Sequence, residues 1–294
     1  MASAHLPKAS IKTNEVFVVD FSVAAAQEDE LVDAQACVSF LTIGAAEADC
    51  RFVKDLMERT CMYGKQFLPK HMQKLALLKK EEYSGTTLDL NAARLEAEQL
   101  LGRTLDDLFE RSGVDASQVD VFACMSTQMT DLQLSIHGAF GIRDDAEIMM
   151  LGGMGCAAGV AGIDFADKLL SEREVPTTMV IVCHENVTRG MYTGLARDSL
   201  VSAALFRAGA TAMLFTTDPE LAKRAKFTIT ATTRTYVLGS FSIDARSDDP
   251  FRHSNSRFAL VRPLTDTRPT TRASGPWATS STTVEVCIGL MRRL

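Results

Sequence analysis

Residues 149–160 read Met149-Met150-Leu151-Gly152-Gly153-Met154-Gly155-Cys156-Ala157-Ala158-Gly159-Val160. The run Glu147–Leu151 has the apolar character of a buried strand. The glycines permit a sharp turn and close backbone approach, expected at Gly152, Gly153, Gly155 and Gly159. Small residues then open a helix from about Ala157 to Ser171. A strand that turns directly into a helix is the building unit of an α/β sheet, and Cys156 stands at that turn. A cysteine at a helix N-terminus feels the positive end of the macrodipole. That lowers its pKa and favours the nucleophilic thiolate, while nearby backbone N–H groups suit a developing oxyanion. Such a site accepts an acyl group from a thioester. The plainer alternative is a small apolar residue in a tight strand–helix contact. The run lacks the GK[ST] ending and the GxGxxG spacing of a phosphate loop.

Working outward, the same alternation continues. Val16–Val23 (VFVVDFSV), Val119–Met125 (VDVFACM), Met179–Cys183 and Thr211–Thr216 read as strands, and Phe227–Thr235 as an exposed or edge strand. Helices are expected over Arg51–Cys61 with Asp49 as N-cap, over Leu132–Phe140 and near Leu195–Phe206. A long helix over Ala92–Ser112 carries Leu95, Leu101, Leu105, Leu108 and Phe109 near helical spacing, with Gly113 as its stop. Lys70–Lys80 is either a solvated charged face or a contact for phosphates of coenzyme A. Strands alternating with helices predict an α/β fold around a mixed or parallel sheet.

Composition narrows the function classes. A net charge of −6 gives no basic footprint for nucleic acid. Seven cysteines without CxxC spacing argue against a zinc site or a disulfide framework and fit a reducing compartment. Met1–Asn14 is polar, and no apolar stretch reaches the ~20 residues of a membrane span. After about Arg246 the chain is crowded with Ser, Thr, Arg and Pro, and the apolar Val284–Leu290 stands isolated.

Leu151–Leu170 (LGGMGCAAGVAGIDFADKLL) resembles the active-site segment of the 3-ketoacyl-CoA synthases of fatty acid elongation, relatives of the type III polyketide synthases. Val16–Phe21, Glu96–Gly113 and Cys183–Arg207 are similar to other segments of that family, the last through Glu185, Asn186, Thr188, Tyr192, Gly194, Arg197 and Ser199. Gly209–Thr216 resembles the following strand and Thr233–Tyr236 the next. The resemblance covers about Glu15–Gly239 and implies a thiolase-like fold of two similar halves, of which this is the nucleophile half. It implies Cys156 as the catalytic residue, acyl-CoA and malonyl-CoA as substrates, 3-oxoacyl-CoA as product, and no metal or redox cofactor. It also implies a homodimer, or a dimer with a paralogue, and elongase partners.

The resemblance stops after Gly239. The family's second half supplies a histidine and an asparagine, and no His-Ala-Gly-Gly-like or Gly-Asn-type segment follows. Among His5, His71, His137, His184 and His253, none matches that role, and His184 reads as a structural or surface residue. The expected organisation is a polar segment 1–14, a thiolase-like domain 15–239 and a divergent, poorly ordered tail 240–294. Cytoplasmic or endoplasmic-reticulum-associated placement is expected. Three functions stay open: an elongase condensing enzyme incomplete as written, a type III polyketide synthase, and a non-catalytic paralogue that dimerises with a longer chain.

Overall fold

The computed structural model describes residues 14–43, 45–62, 64–76, 90–126, 138–152, 157–188, 192, 196–240 and 281–293. Contacts divide the chain into two units, Met1–Arg234 with Cys287–Leu294, and Thr235–Val286. In the second unit the described residues belong to two long strands, β8 (Phe227–Ser240) and β9 (Ser281–Arg293).

The first unit is built on a mixed sheet. Its strands are β1 (Phe17–Val23), β4 (Val121–Met125), β5 (Glu147–Leu151), β6 (Thr178–Glu185) and β7 (Gly209–Thr216). The sheet order is β5-β4-β6-β7-β1-β8-β9. The pairs β5–β4 and β4–β6 are parallel, whereas β6–β7, β7–β1 and β1–β8 are antiparallel. Two short strands, β2 (Leu31–Val32) and β3 (Gln66–Phe67), pair apart from it. All five residues of β4 are buried because both faces are covered, which is why it reads as an unbroken apolar run.

Alternation along the strands divides two cores. Phe122, Cys124, Val180, Val182, Ala212 and Leu214 pack under α4 (Leu90–Ser112). On the opposite face Val121, Ala123, Met179, Ile181 and Phe215 pack with Ala166 and Leu170 of α5 (Ala158–Ser171). A third cluster lies between α1 (Ala34–Leu41), α2 (Glu47–Arg59), α3 (Lys70–Ala76) and α6 (Arg197–Leu205). A single turn, α7 (Pro219–Ala222), capped by Asp218, leads into β8.

Most of the expected elements lie where the sequence places them, with instructive differences. The helix expected from Arg51 starts at Glu47 with Ala46 as N-cap, so Asp49 lies inside its first turn. Leu95 is 53% exposed; the buried stripe of α4 is instead Ala93, Glu96, Ala97, Leu100, Leu101, Thr104, Leu105 and Leu108. The polar members of that stripe are satisfied, Glu96 by the N–H groups of Val187 and Thr188 and Thr104 by Leu100 O at 2.7 Å. Gly113 takes φ +62°, and its N–H closes on Phe109 O at 2.9 Å, as a helix stop requires. The strand read as an edge, β8, is flanked by β1 and β9, and its Ile229 is buried. Val284–Leu290, which reads as isolated, falls within β9. Most of the helix expected over Leu132–Phe140 lies outside the described residues, with helix observed at 138–140. No helix among the described residues is long and apolar enough to cross a membrane.

Candidate active site

The parallel register aligns the C-terminal ends of three strands. Met125 pairs with both Leu151 and Cys183, so the chain leaves β4, β5 and β6 at one edge of the sheet. In open α/β sheets that edge is where ligands bind. Cys156 itself, with Gly153, Met154 and Gly155, lies outside the described residues. Its neighbours on both sides are described. Gly152 follows β5, and α5 begins after Ala157 without a side-chain cap and without an acidic residue in its first turn. Among the described residues no side chain caps the first N–H groups of α5, which retain their pull on negative charge.

Of the four glycines expected to allow close approach, Gly153 and Gly155 lie outside the described residues, and the two that are described are not tightly packed. A Cβ on Gly159 would meet nothing within 4 Å, and one on Gly152 would only touch Ser126 O at 3.9 Å. The tight position is Gly162, where a Cβ would sit 2.8 Å from Met125 Cε and 3.4 Å from Ile181 Cγ2. Gly162 thus lets α5 settle onto β4 and β6, which fixes where its N-terminus points.

The other described thiols near this edge are of a different kind. Burial pushes Cys124 up to about 12 and Cys183 up to about 11, so both stay protonated at neutral pH. Cys183 Sγ lies 3.7 Å from Met125 Sδ, in a packing contact.

Beyond β6 the chain enters a buried polar knot that the sequence does not announce. Glu96, 3% exposed on α4, accepts N–H bonds from Val187 at 3.0 Å and Thr188 at 3.2 Å, and the Thr188 hydroxyl donates to it as well. His71 Nε2 lies 2.7 Å from that hydroxyl oxygen. Because the hydroxyl proton faces Glu96, the imidazole donates from Nε2. Burial raises the Glu96 carboxyl above its ordinary range, against the opposing hydrogen bonds from Thr188 and Val187. One signal for Glu96 was legible: a glutamate set between Ala93, Ala97 and Leu100 on the apolar stripe of a helix.

His184 is not a surface residue. It is 2% exposed, neither ring nitrogen has a hydrogen-bond partner among the described residues, and burial holds its pKa down at about 4. Asn186 is likewise buried with both amide atoms unpartnered. Of the other residues that carry the resemblance, Tyr192 accepts from Ala196 N–H at 3.1 Å through its hydroxyl oxygen. Arg197 joins α6 to α2, pairing with Asp49 at 2.9 Å and lying over the Phe52 ring. Gly194 lies outside the described residues. Lys70 pairs with Asp29 at 2.5 Å.

Comparison with known proteins adds a second line. Residues 8–242 match the family model described as FAE1/type III polyketide synthase-like protein. The Arabidopsis thaliana protein 3-ketoacyl-CoA synthase 16 is 30% identical over 189 residues, covering 63% of this chain and 36% of the relative. Arabidopsis thaliana 3-ketoacyl-CoA synthase 17 is 27% identical over 230 residues, covering 76% and 45%. The chain therefore spans less than half the length of these relatives. Among solved structures, the C-terminal type III polyketide synthase domain of Steely1 from Dictyostelium superimposes with TM-score 0.61 at 18% identity, over 78% of this chain and 62% of that one. A fungal type III polyketide synthase, ORAS, gives TM-score 0.60 at 14% identity, over 77% and 64%. At such identities the structural likeness speaks for the fold alone.

Proposed function

Because the chain belongs to the FAE1/type III polyketide synthase-like family, we propose that it carries the acyl-accepting half of a condensing acyltransferase, with Cys156 as nucleophile. The Cys156 thiolate attacks the carbonyl of an acyl-CoA, the C–S bond to coenzyme A breaks, and an acyl-cysteine thioester forms. Malonyl-CoA then loses CO2, and its carbanion attacks that thioester. The carbon–carbon bond forms, the cysteine thiolate leaves, and a 3-oxoacyl-CoA two carbons longer is released.

The observation that carries this reading is that α5 begins after Ala157 with no side-chain cap, and Cys156 lies between it and the C-terminal end of β5 in the sequence. The helix end favours the thiolate, and its N–H groups suit the oxyanion of the tetrahedral intermediate. The thiols of the neighbouring strands β4 and β6, Cys124 and Cys183, are kept protonated by burial.

The substrates, the elongation step and pairing with a second copy or a longer paralogue belong to this same proposal. Long-chain acyl-CoA labelled in the acyl group, incubated with the chain, should leave covalent label on Cys156 and none on Cys156→Ala. Label on both proteins would overturn the assignment. Labelled malonyl-CoA tests the second half-reaction. CO2 release lost in His184→Ala as well as in Cys156→Ala would make His184 a catalytic partner. A type III polyketide synthase is the second reading, since the matching family model covers that class as well. Several extensions per acyl group, in place of one, would establish it.

A further inference from the structure

β6 outlasts its parallel neighbours. Met125, the last residue of β4, is level with Leu151, the last of β5, and with Cys183 of β6. β6 then runs on through His184 to Glu185, which pairs with Gly209 of β7. Asn186, Val187 and Thr188 leave the sheet at the edge from which the chain also departs, after Leu151, toward Cys156. Two helices grip this end of the sheet from opposite faces. On one face Gly162 lets α5 rest on Met125 and Ile181. Ala158, the first residue of α5, packs against the same cluster as Cys183, and Cys156 stands just ahead of it in the sequence. On the other face Glu96 of α4 accepts from Val187 N–H at 3.0 Å, from Thr188 N–H at 3.2 Å and from the Thr188 hydroxyl.

The character of the second grip matters. Apolar packing is non-directional and would let the exit from β6 slide along α4. Hydrogen bonds that converge on one buried carboxyl group are directional, so they fix both the place and the orientation of the backbone at Val187 and Thr188. His71 Nε2, 2.7 Å from the Thr188 oxygen, adds a hold from α3. Transfer between a thioester and a thiolate is sensitive to such placement, because a displacement of about 1 Å costs on the order of 100-fold in rate.

We propose that Glu96 is a positioning residue for acyl transfer to Cys156. Through Val187 and Thr188 it fixes the backbone that leaves β6 at the end of the sheet where α5 starts, and so the surface on which an acyl-CoA thioester lines up with the thiol. The inference rests on the acyl-accepting reading of Cys156. Glu96 forms no covalent bond and moves no proton in the reaction; its effect passes through the backbone it holds.

Single-turnover labelling of Cys156 by long-chain acyl-CoA, in the 294-residue chain and below the melting transition of every variant, tests it. Alkylation of Cys156 by iodoacetamide is measured beside it, since that small reagent needs no aligned thioester. Glu96→Gln and Thr188→Val should lower the acylation rate at saturating acyl-CoA by on the order of tenfold or more and leave alkylation unchanged. Thr188→Ser, which keeps the hydroxyl, should acylate as the unmodified chain does. Val114→Ala weakens the same core as α4 beyond its far end and should lose stability without loss of acylation rate. Should Glu96→Gln not fold, Thr188→Val against Thr188→Ser carries the comparison. Acylation at the unmodified rate in the folded Glu96 and Thr188 variants overturns the role of Glu96 alone. So does an equal slowing in Val114→Ala, or alkylation that slows in step with acylation. No label on Cys156 of the unmodified chain overturns the acyl-accepting reading itself, and the inference with it.

Discussion

The hydroxyl of Thr188 donates to the carboxylate of Glu96 and ties the residues just beyond β6 to the middle of α4. The two residues stand 92 positions apart in sequence. Glu96 also accepts the N–H of Val187, and the Thr188 oxygen faces His71 on α3, so one carboxylate organises three separate segments.

That arrangement makes Glu96 hard to replace. Both carboxylate oxygens accept backbone N–H bonds, so Glu96→Gln must turn an NH2 group toward a backbone donor. A loss of about 2 kcal/mol is expected in urea unfolding at neutral pH, with Thr188→Val losing about 1 kcal/mol. The raised Glu96 pKa sets the sign with pH. Its favourable contribution is full below the unfolded value of 4.5 and is lost as pH rises through the higher folded value. Glu96→Gln should remove that decline; an unchanged pH–stability profile would refute the role given to burial.

His184 behaves in the opposite sense. Burial lowers its pKa from 6.5 to about 4, so stability should fall as pH drops through that window. The full effect is on the order of 3 kcal/mol. His184→Leu should flatten the window and leave stability at pH 7 equal or higher, because neither ring nitrogen has a partner to lose. Urea midpoints at pH 4, 5, 6 and 7 decide it.

Gly162 and Gly159 sit one helical turn apart on α5 and should respond with opposite signs. Gly162→Val forces side-chain atoms against Met125 and Ile181, with an expected loss of about 1–3 kcal/mol. Gly159→Ala enters open space and should gain about 0.5–1 kcal/mol from helix propensity. Thermal melts that move both variants the same way would contradict the packing described.

Thiol chemistry separates Cys156 from its neighbours under the proposed function. Iodoacetamide at pH 7, followed by peptide mapping, should modify Cys156 well before Cys124 or Cys183, whose pKa values of about 12 and about 11 leave almost no thiolate. Labelling of all three at one rate in the folded protein would remove the basis for a distinct nucleophile.

Much of the architecture was legible because it is local. The strand Glu147–Leu151, the stop at Gly113 and the β-α alternation follow from apolar runs, glycine conformations and helical spacing, which neighbours in sequence decide. The errors share one physical origin. Leu95 falls about 200° around the helix from Ala93, and the packing of α4 on the sheet shows which side is buried. Similarly, β8 has the alternation of an edge strand, and β9, which covers it, comes from 41 residues further along the chain.

The sequence by itself therefore determined the α/β class, the family and the cysteine to test, since each is written in a short run of residues around 147–170. Tertiary structure alone decided which polar groups leave water. Glu96, His184 and Asn186 are each charged or polar enough to prefer solvent, yet all three are buried. Their burial follows from helices and strands closing over them from distant parts of the chain. That closure turns a glutamate into an anchor and a histidine into a neutral ring.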